Sequence, residues 1–108
     1  MRVLQIIDSL EAGGAERMAV SYANVLVDVI GFSALVATRK EGALLEQMDS
    51  KVTYLFLNKK SRLDFGALWR LRSFVILYSI THVHAHSTSF FMAFLLKLCC
   101  PSLKLIWH

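Results

Sequence analysis

The strongest constraint on the fold is a strict alternation of short apolar segments with longer helix-forming segments. Five short segments lack the polar–apolar alternation of half-exposed strands, so we interpret them as strands covered on both faces, at residues 3–7, 32–38, 52–57, 82–85 and 103–107. Helix-forming segments lie between them, at residues 15–29, 43–48, 65–78 and 90–99. This pattern predicts a Rossmann-like, doubly wound α/β fold, with a parallel sheet in the order 3-2-1-4-5 and helices on both faces.

Residues at the ends of the predicted helices support these boundaries. Gly31 predicts a cap after the first helix, Asp64 a cap before the third, and Pro101 a stop after the last. In the first helix, we expect the buried face to carry the apolar residues that recur at helical spacing, which are Met18, Tyr22, Val25, Leu26 and Val29.

Length and composition bound the organisation of the chain. With 108 residues, 56% of them hydrophobic and 19% charged, we expect one folded domain over residues 1–108. The apolar content is high, so part of the surface is expected to meet another domain, a partner chain or a membrane. No apolar run approaches the roughly 20 residues that cross a bilayer, and no leader pattern is visible. We therefore expect a cytoplasmic protein that is peripheral at the inner membrane face where it meets lipid.

Ligands of open parallel sheets bind beyond the carboxyl ends of the strands, where the strand order reverses. In the predicted order, this point lies between the first and fourth strands. The segments that reach it carry glycines, hydroxyl groups and imidazoles, and we expect all of them to face one crevice: Gly13, Gly14, His86, Ser87, Thr88 and His108.

The glycine pair precedes a helix N-terminus. Gly13 and Gly14 would let the backbone approach a ligand, and the free N–H groups of the helix attract an anion such as phosphate. The alternative is a tight strand-to-helix turn without a ligand. Glu16, in the first helical turn, weakens the anion-site interpretation because its charge repels phosphate.

Histidines alternate along the fourth strand at His82, His84 and His86, so their side chains share one face. Alternate positions of a strand are about 7 Å apart, which is too far for one ion to bind all three. We therefore interpret His82 and His84 as structural and His86, at the carboxyl end, as a site candidate. The adjacent Cys99 and Cys100 have no metal-ligand spacing, and no metal site is predicted.

A basic segment extends from residue 59 to residue 72. It mixes cations with aromatic side chains, namely Lys59, Lys60, Arg62, Phe65, Trp69, Arg70 and Arg72. One interpretation is a solvated loop and helix start. The other is a surface for acidic lipid or an anionic substrate, in keeping with the net charge of +4. No nucleic-acid-binding module is recognisable, so nucleic acid is not an expected partner.

Four segments, in order along the chain, resemble the retaining GT-B glycosyltransferases of family GT4. They are VLQIIDSLEAGGAER at residues 3–17, TRKEG at 38–42, THVHAHSTSFF at 81–91 and IWH at 106–108. The resemblance implies a two-domain enzyme with its active cleft between two Rossmann-like halves. This chain matches the N-terminal, acceptor-side half and lacks the half that binds the nucleotide sugar. We therefore expect it to be an incomplete part of a GT-B fold that is inactive alone.

The resemblance also implies roles for individual residues. Gly13 and Gly14 would lie against the donor diphosphate, and His108 would be the catalytic histidine that approaches the transferred sugar. The acceptor side would be lined by Arg17, His86 and Ser87. The expected partners are a nucleotide-sugar donor and a glycan or lipid-linked acceptor, and no cofactor is implied. Peripheral membrane contact would involve Lys59, Lys60, Arg62, Trp69 and Arg70.

There are two alternatives to a glycosyltransferase. The first is a non-catalytic binding or oligomerising module of the same fold, which pairs with a second copy through the exposed edge of the fifth strand. The second is a dinucleotide-binding oxidoreductase domain. Such a domain predicts a G-x-G-x-x-G turn and an acidic residue after the second strand. Neither appears, and Thr38, Arg39 and Lys40 stand at the end of that strand, so the sequence disfavours this alternative.

Overall fold

A computed structural model of the chain describes all 108 residues. It contains five strands, β1 (Val3–Ser9), β2 (Ser33–Lys40), β3 (Thr53–Phe56), β4 (His82–Ala85) and β5 (Lys104–Trp107). Three α-helices follow β1, β3 and β4 in the chain, as α1 (Gly14–Val29), α2 (Phe65–Leu77) and α3 (Phe90–Cys99). Short 3₁₀ segments occupy Ala43–Gln47, where a short helix is predicted, and Ser87–Ser89. None of the helices is long and apolar enough to span a bilayer.

All five strands are parallel, in the order β3-β2-β1-β4-β5, and this confirms the predicted topology. The central strand, β1, pairs with β2 on one side and with β4 on the other. Ile6, for example, lies opposite both Val36 and Ala85. The strand order therefore reverses between β1 and β4, the point at which open parallel sheets generally bind their ligands.

Two apolar layers cover the two faces of the sheet. One layer joins Leu4 and Ile6 of β1 to α2 and α3, through residues such as Leu71 and Leu96. The other joins Ile7 to the inward face of α1. Because successive strand residues point to opposite faces, an almost wholly apolar strand supplies both layers.

The buried face of α1 differs from the predicted one. Its buried residues are Ala19, Val20, Ala23 and Val27, whereas the predicted face is largely exposed, with Val25 60% and Val29 71% accessible. Small side chains let the helix axis approach the sheet closely, so alanines mark the packed face here. The larger apolar residues are left towards solvent, and the sequence-based prediction of this face is wrong.

The signals at the helix ends are confirmed. Gly31, just after α1, has a φ of 80°, the left-handed conformation that favours glycine. The carboxylate of Asp64 accepts a hydrogen bond from the backbone N–H of Ala67 at 3.0 Å and caps α2. The helix α3 ends at Cys99, before Pro101.

The strand β5 lies at one edge of the sheet, as predicted, and pairs only with β4. Its residues Ile106 and Trp107 are 51% and 64% exposed. The unpaired backbone groups of such an edge are open to another strand.

Candidate functional site

The carboxyl ends of the strands meet at a polar rim centred on Asp8. Its carboxylate accepts a hydrogen bond from the hydroxyl of Thr38 at 2.6 Å and another from the hydroxyl of Thr88. Asp8 thereby ties the end of β1 to the end of β2 and to the loop after β4. Asp8 is not among the residues predicted for the site, although its position at the end of the central strand, beside the order reversal, is a usable signal.

A cavity of about 810 Å³ opens beside this rim. Its lining combines one carboxylate, four cationic side chains, hydroxyl groups and aromatic rings, contributed by Asp8, Arg39, Lys59, Lys60, Ser61, Arg62, Ser87, Thr88, Phe90, Phe91 and Trp107. The guanidinium of Arg62 lies 4.5 Å from the centre of the Phe91 ring. The size falls within the range of small-molecule sites, and the excess of positive charge favours an anionic ligand.

A second cavity of about 210 Å³ lies between the ends of β1 and β2, the loop after β4 and the N-terminus of α1. It is lined mainly by polar side chains, including both Glu11 and Glu16. The side chain of Glu16 folds back over the helix N-terminus, where the hydroxyl of Ser9 lies 3.4 Å from its carboxylate. An anion that binds these helix N–H groups therefore requires Glu16 to move away.

The glycine pair borders this second cavity without lining it. A Cβ atom on Gly13 would lie 2.7 Å from the Glu16 carboxylate, which is the end of a flexible side chain. A Cβ atom on Gly14 would meet nothing within 4 Å. Packing within this chain therefore gives no reason for glycine at position 14, whereas close approach of a ligand would give one.

Gly42, in contrast, is required by the chain itself. A Cβ atom there would lie 2.5 Å from the carbonyl oxygen of Leu10 and 2.6 Å from the backbone nitrogen of Glu11. The next turn adds a hydrogen bond from the N–H of Leu44 to the same carbonyl, at 3.0 Å. The segment after β2 is thus held tightly against the loop between β1 and α1.

Three imidazoles cluster at the ends of β4 and β5. The ring centres of His84 and His86 are 4.2 Å apart, and that of His108 lies 5.5 Å from His84 and 5.8 Å from His86. Tyr22 of α1 packs against all three, nearest to His84 at 5.1 Å. We call this set, His84, His86 and His108, the histidine cluster. The sequence-based interpretation of His84 as a structural residue agrees with its packing against Tyr22, but it does not group His84 with the site candidates His86 and His108.

Burial lowers the pKa of two members of the histidine cluster. His86 is 1% exposed, and its Nε2 lies 2.6 Å from Oε1 of the fully buried Gln5. Burial, and then the neighbouring His84 and His108, lower the pKa of His86 to about 4. Burial, and then His108, also lower the pKa of His84. The lowered pKa values favour the neutral imidazole, which offers a lone pair and a hydrogen bond.

Backbone contacts fix the loop after β4 against the end of β5. Ser87 has a φ of 55°, an uncommon conformation for a residue other than glycine. Its N–H donates to the carbonyl of His108 at 3.0 Å, and its carbonyl accepts from the indole of Trp107 at 3.1 Å. The N–H of His108 donates to the carbonyl of Ala85 at 2.8 Å. These contacts hold the imidazole of His108 close to that of His86.

The structure thus brings most of the candidate residues to one rim, with differences in detail. Ser87 and Thr88 line both cavities, whereas the buried His86 lines neither. Arg17 is exposed in the first turn of α1 and lines neither cavity. His82 is apart from the cluster, and its Nδ1 lies 2.8 Å from the hydroxyl of Thr81.

The basic segment is divided between two environments. Lys59, Lys60 and Arg62 line the larger cavity together with Arg39 of β2. Arg70 instead donates a hydrogen bond to the carbonyl of Leu57. Trp69 is 63% exposed on α2, outside the cavity.

No protein-family model matches the chain, and no curated protein matches it by sequence. In structure, the chain is similar to a glycosyltransferase from Rickettsia africae ESF-5, with a TM-score of 0.68 and 12% sequence identity. The match covers 98% of this chain but 29% of that one, so the chain spans less than a third of its neighbour's length. At this level of identity the similarity establishes the fold: the chain folds like part of a glycosyltransferase.

Proposed function

We propose that this chain is the acceptor-side part of a GT4-type glycosyltransferase, which transfers a sugar from a nucleotide-sugar donor to a glycan or lipid-linked acceptor. The observation that carries the proposal is the cationic and aromatic cavity at the carboxyl ends of the strands, in a chain that folds like part of a glycosyltransferase. Ser87 of the predicted acceptor side lines this cavity, together with Lys59, Lys60 and Arg62 of the basic segment.

The larger cavity would hold the acceptor. Aromatic rings such as Phe90 and Trp107 offer flat apolar faces to a sugar or a lipid chain, and the hydroxyls of Ser87 and Thr88 offer hydrogen bonds. The cations would bind a phosphate or carboxylate group carried by the acceptor. The exposed Trp69 would extend the contact to a membrane surface for a lipid-linked acceptor, at the cytoplasmic face.

The donor would lie across the rim from the acceptor. Its diphosphate would approach Gly14, where the absence of neighbouring atoms leaves room, and the N–H groups that begin α1 would stabilise the charge of the leaving diphosphate. Glu16 would swing out on binding. His108, exposed at the end of β5, would approach the transferred sugar. The residues that grip the nucleotide would come from a second half of the enzyme, so the chain alone would not turn over.

The test uses the native polypeptide from its source cells, whose mass shows whether a second half is present. Purified polypeptide and a membrane extract are mixed with radiolabelled nucleotide sugars, and labelled glycan or lipid is measured. We expect transfer from one nucleotide sugar. The His108→Ala variant should lose this activity, and the His82→Ala variant should retain it. A native polypeptide of 12.2 kDa without transfer would contradict the proposal.

A second candidate is a non-catalytic module that associates through β5. The observation that favours it is the open edge, with Ile106 and Trp107 largely exposed. Stable oligomers of the native polypeptide, without transfer to any acceptor, would support this function over the first.

A further inference from the structure

We propose that the histidine cluster is a binding site for a zinc-like divalent transition-metal ion, held by one nitrogen each of His84, His86 and His108. The possible ligand atoms of the three side chains all lie within 4.8 Å of one another. The three residues come from two neighbouring strand ends, which the backbone contacts around Ser87 hold together. This inference does not depend on the proposed function.

The spacing is close to that of a three-histidine zinc site. Atoms whose mutual distances are at most 4.8 Å all lie within about 2.8 Å of a common point, whereas zinc–imidazole bonds measure about 2.1 Å. Binding therefore needs each nitrogen to move by about 0.7 Å, which modest side-chain rotation supplies. Three protein ligands leave a fourth, open position on a tetrahedral ion.

A buried partner orients one ligand. Oε1 of Gln5 lies 2.6 Å from Nε2 of His86, and an oxygen at this position accepts a hydrogen bond from the ring N–H. The lone pair of His86 is then on Nδ1. This nitrogen faces the backbone N–H of Ser89 in the turn after β4, and an ion would take the place of that contact. Hydrogen bonds of this kind hold the ligating histidines of metal sites in one tautomer and orientation. Gln5 is fully buried, and its Nε2 has no partner, so the hydrogen bond to His86 is its one side-chain contact of this type.

Two of the three imidazoles in the histidine cluster have no other partner in the chain. The rings of His84 and His108 make no hydrogen bond or ion pair within the protein. The carboxylate of Asp8, at the same rim, is bound by two threonine hydroxyls. A set of imidazoles without carboxylates suits zinc, cobalt, nickel or copper rather than magnesium or calcium.

Three alternate histidines of a single strand are too far apart to bind one ion, but the histidine cluster takes its members from two strands. His82, His84 and His86 lie at successive alternate positions, so His82 is too far along β4 to join the other two. His108 replaces it from β5, because Ala85 pairs with Trp107 and the following residues stay adjacent. The site thus depends on strand pairing and not on a local motif.

The test is titration of the chelator-treated chain with Zn²⁺ by calorimetry and with Co²⁺ by visible absorption, which reports tetrahedral imidazole coordination. We expect one ion per chain and a rise in the unfolding temperature at saturating zinc. His108→Ala, at an exposed position, should weaken binding at least tenfold, and so should His84→Ala. Gln5→Ala should weaken it about 10–100-fold.

His82→Ala is the matched control, since it removes a histidine of the same strand from outside the cluster, and its affinity should equal that of the unmodified chain. Circular dichroism establishes whether each variant is folded. If a variant at a buried position does not fold, the exposed His108→Ala still tests whether the histidine cluster binds the ion. Absence of stoichiometric binding of both ions, or equal affinity in His108→Ala and the unmodified chain, would overturn the proposal. These measurements of metal binding do not depend on transfer activity. A failure of the proposed function can therefore be distinguished from a failure of the metal site.

Discussion

The hydroxyl of Thr88 donates a hydrogen bond to the carboxylate of Asp8, across 80 residues of sequence. The same carboxylate accepts from Thr38, so one side chain joins the ends of β1 and β2 to the loop after β4. This contact shapes the wall that the two cavities share, because Asp8 and Thr88 line both of them. The rim is therefore built by tertiary pairing around a central strand.

Removing the carboxylate should loosen this rim. In Asp8→Ala, two hydroxyls lose their acceptor, and we expect the free energy of unfolding to fall by about 1–3 kcal/mol in urea denaturation. Asp28→Ala is the matched control. Its carboxylate forms an ion pair with Lys51 on the exposed surface, where solvent screening makes such pairs weak. Equal effects of the two substitutions would show that Asp8 does not tie the rim together.

Two glycines should respond differently to the same added methyl group. Gly42→Ala places a Cβ atom against the backbone of Leu10, so we expect a loss of about 1–3 kcal/mol of unfolding free energy. Gly14→Ala meets no neighbouring atom and should change stability by less than about 0.5 kcal/mol. If position 14 faces a ligand, Gly14→Ala should still weaken donor binding in the complete enzyme. Thermal unfolding of both variants checks the first contrast, and similar losses would contradict it.

The fold was predictable because its signals are local. Apolar strands, a left-handed Gly31 and the capping Asp64 each act within a few residues, and the order of the sheet follows from the handedness of the connections. The packed face of α1 was not predictable from hydrophobicity alone. Closeness to the sheet selects alanines such as Ala19 and Ala23 over larger apolar residues.

The site was predictable in outline but not in its contacts. Because ligands of parallel sheets bind beyond the carboxyl ends of the strands, the sequence indicated this rim and the candidates Ser87, His86 and His108. The histidine cluster depends on how β5 is aligned with β4, and the Asp8–Thr88 contact on how β1 is aligned with β4. A pattern along one strand reveals neither alignment.

The cap of α2 should depend on pH. Hydrogen bonds from the backbone N–H groups of Lys60 and Ala67 lower the pKa of Asp64. The stabilisation from this ionised group is complete above its ordinary pKa of 3.8 and is lost as the pH falls through the lower folded value. Asp64→Asn, which still caps, should lack this pH dependence. Unfolding curves between neutral and acidic pH measure it, and parallel pH profiles of the two proteins would contradict it.

The larger cavity should bind anions. We expect Lys59→Ala or Arg39→Ala to weaken the binding of inorganic pyrophosphate by roughly tenfold, because each substitution removes about one charge-assisted hydrogen bond. The remaining binding should depend less on salt concentration. Arg72→Ala, on α2 outside the cavity, is the control. Binding to vesicles with and without phosphatidic acid distinguishes a preference for a lipid headgroup from a preference for free phosphate. An equal loss in Arg72→Ala would mean that general surface charge, and not the cavity, attracts the anion.

The edge strand offers a test of self-association. If copies of the chain pair through β5, a charge on that strand should prevent it, because inward-facing or edge charges disfavour strand addition. We expect Ile106→Lys to abolish concentration-dependent dimers in sedimentation equilibrium. Val25→Lys, on the exposed apolar face of α1, is the matched substitution, since Val25 is 60% exposed and Ile106 51%. Dimers that survive Ile106→Lys and disappear in Val25→Lys would place the contact on α1, because both changes add the same charge and only the location differs.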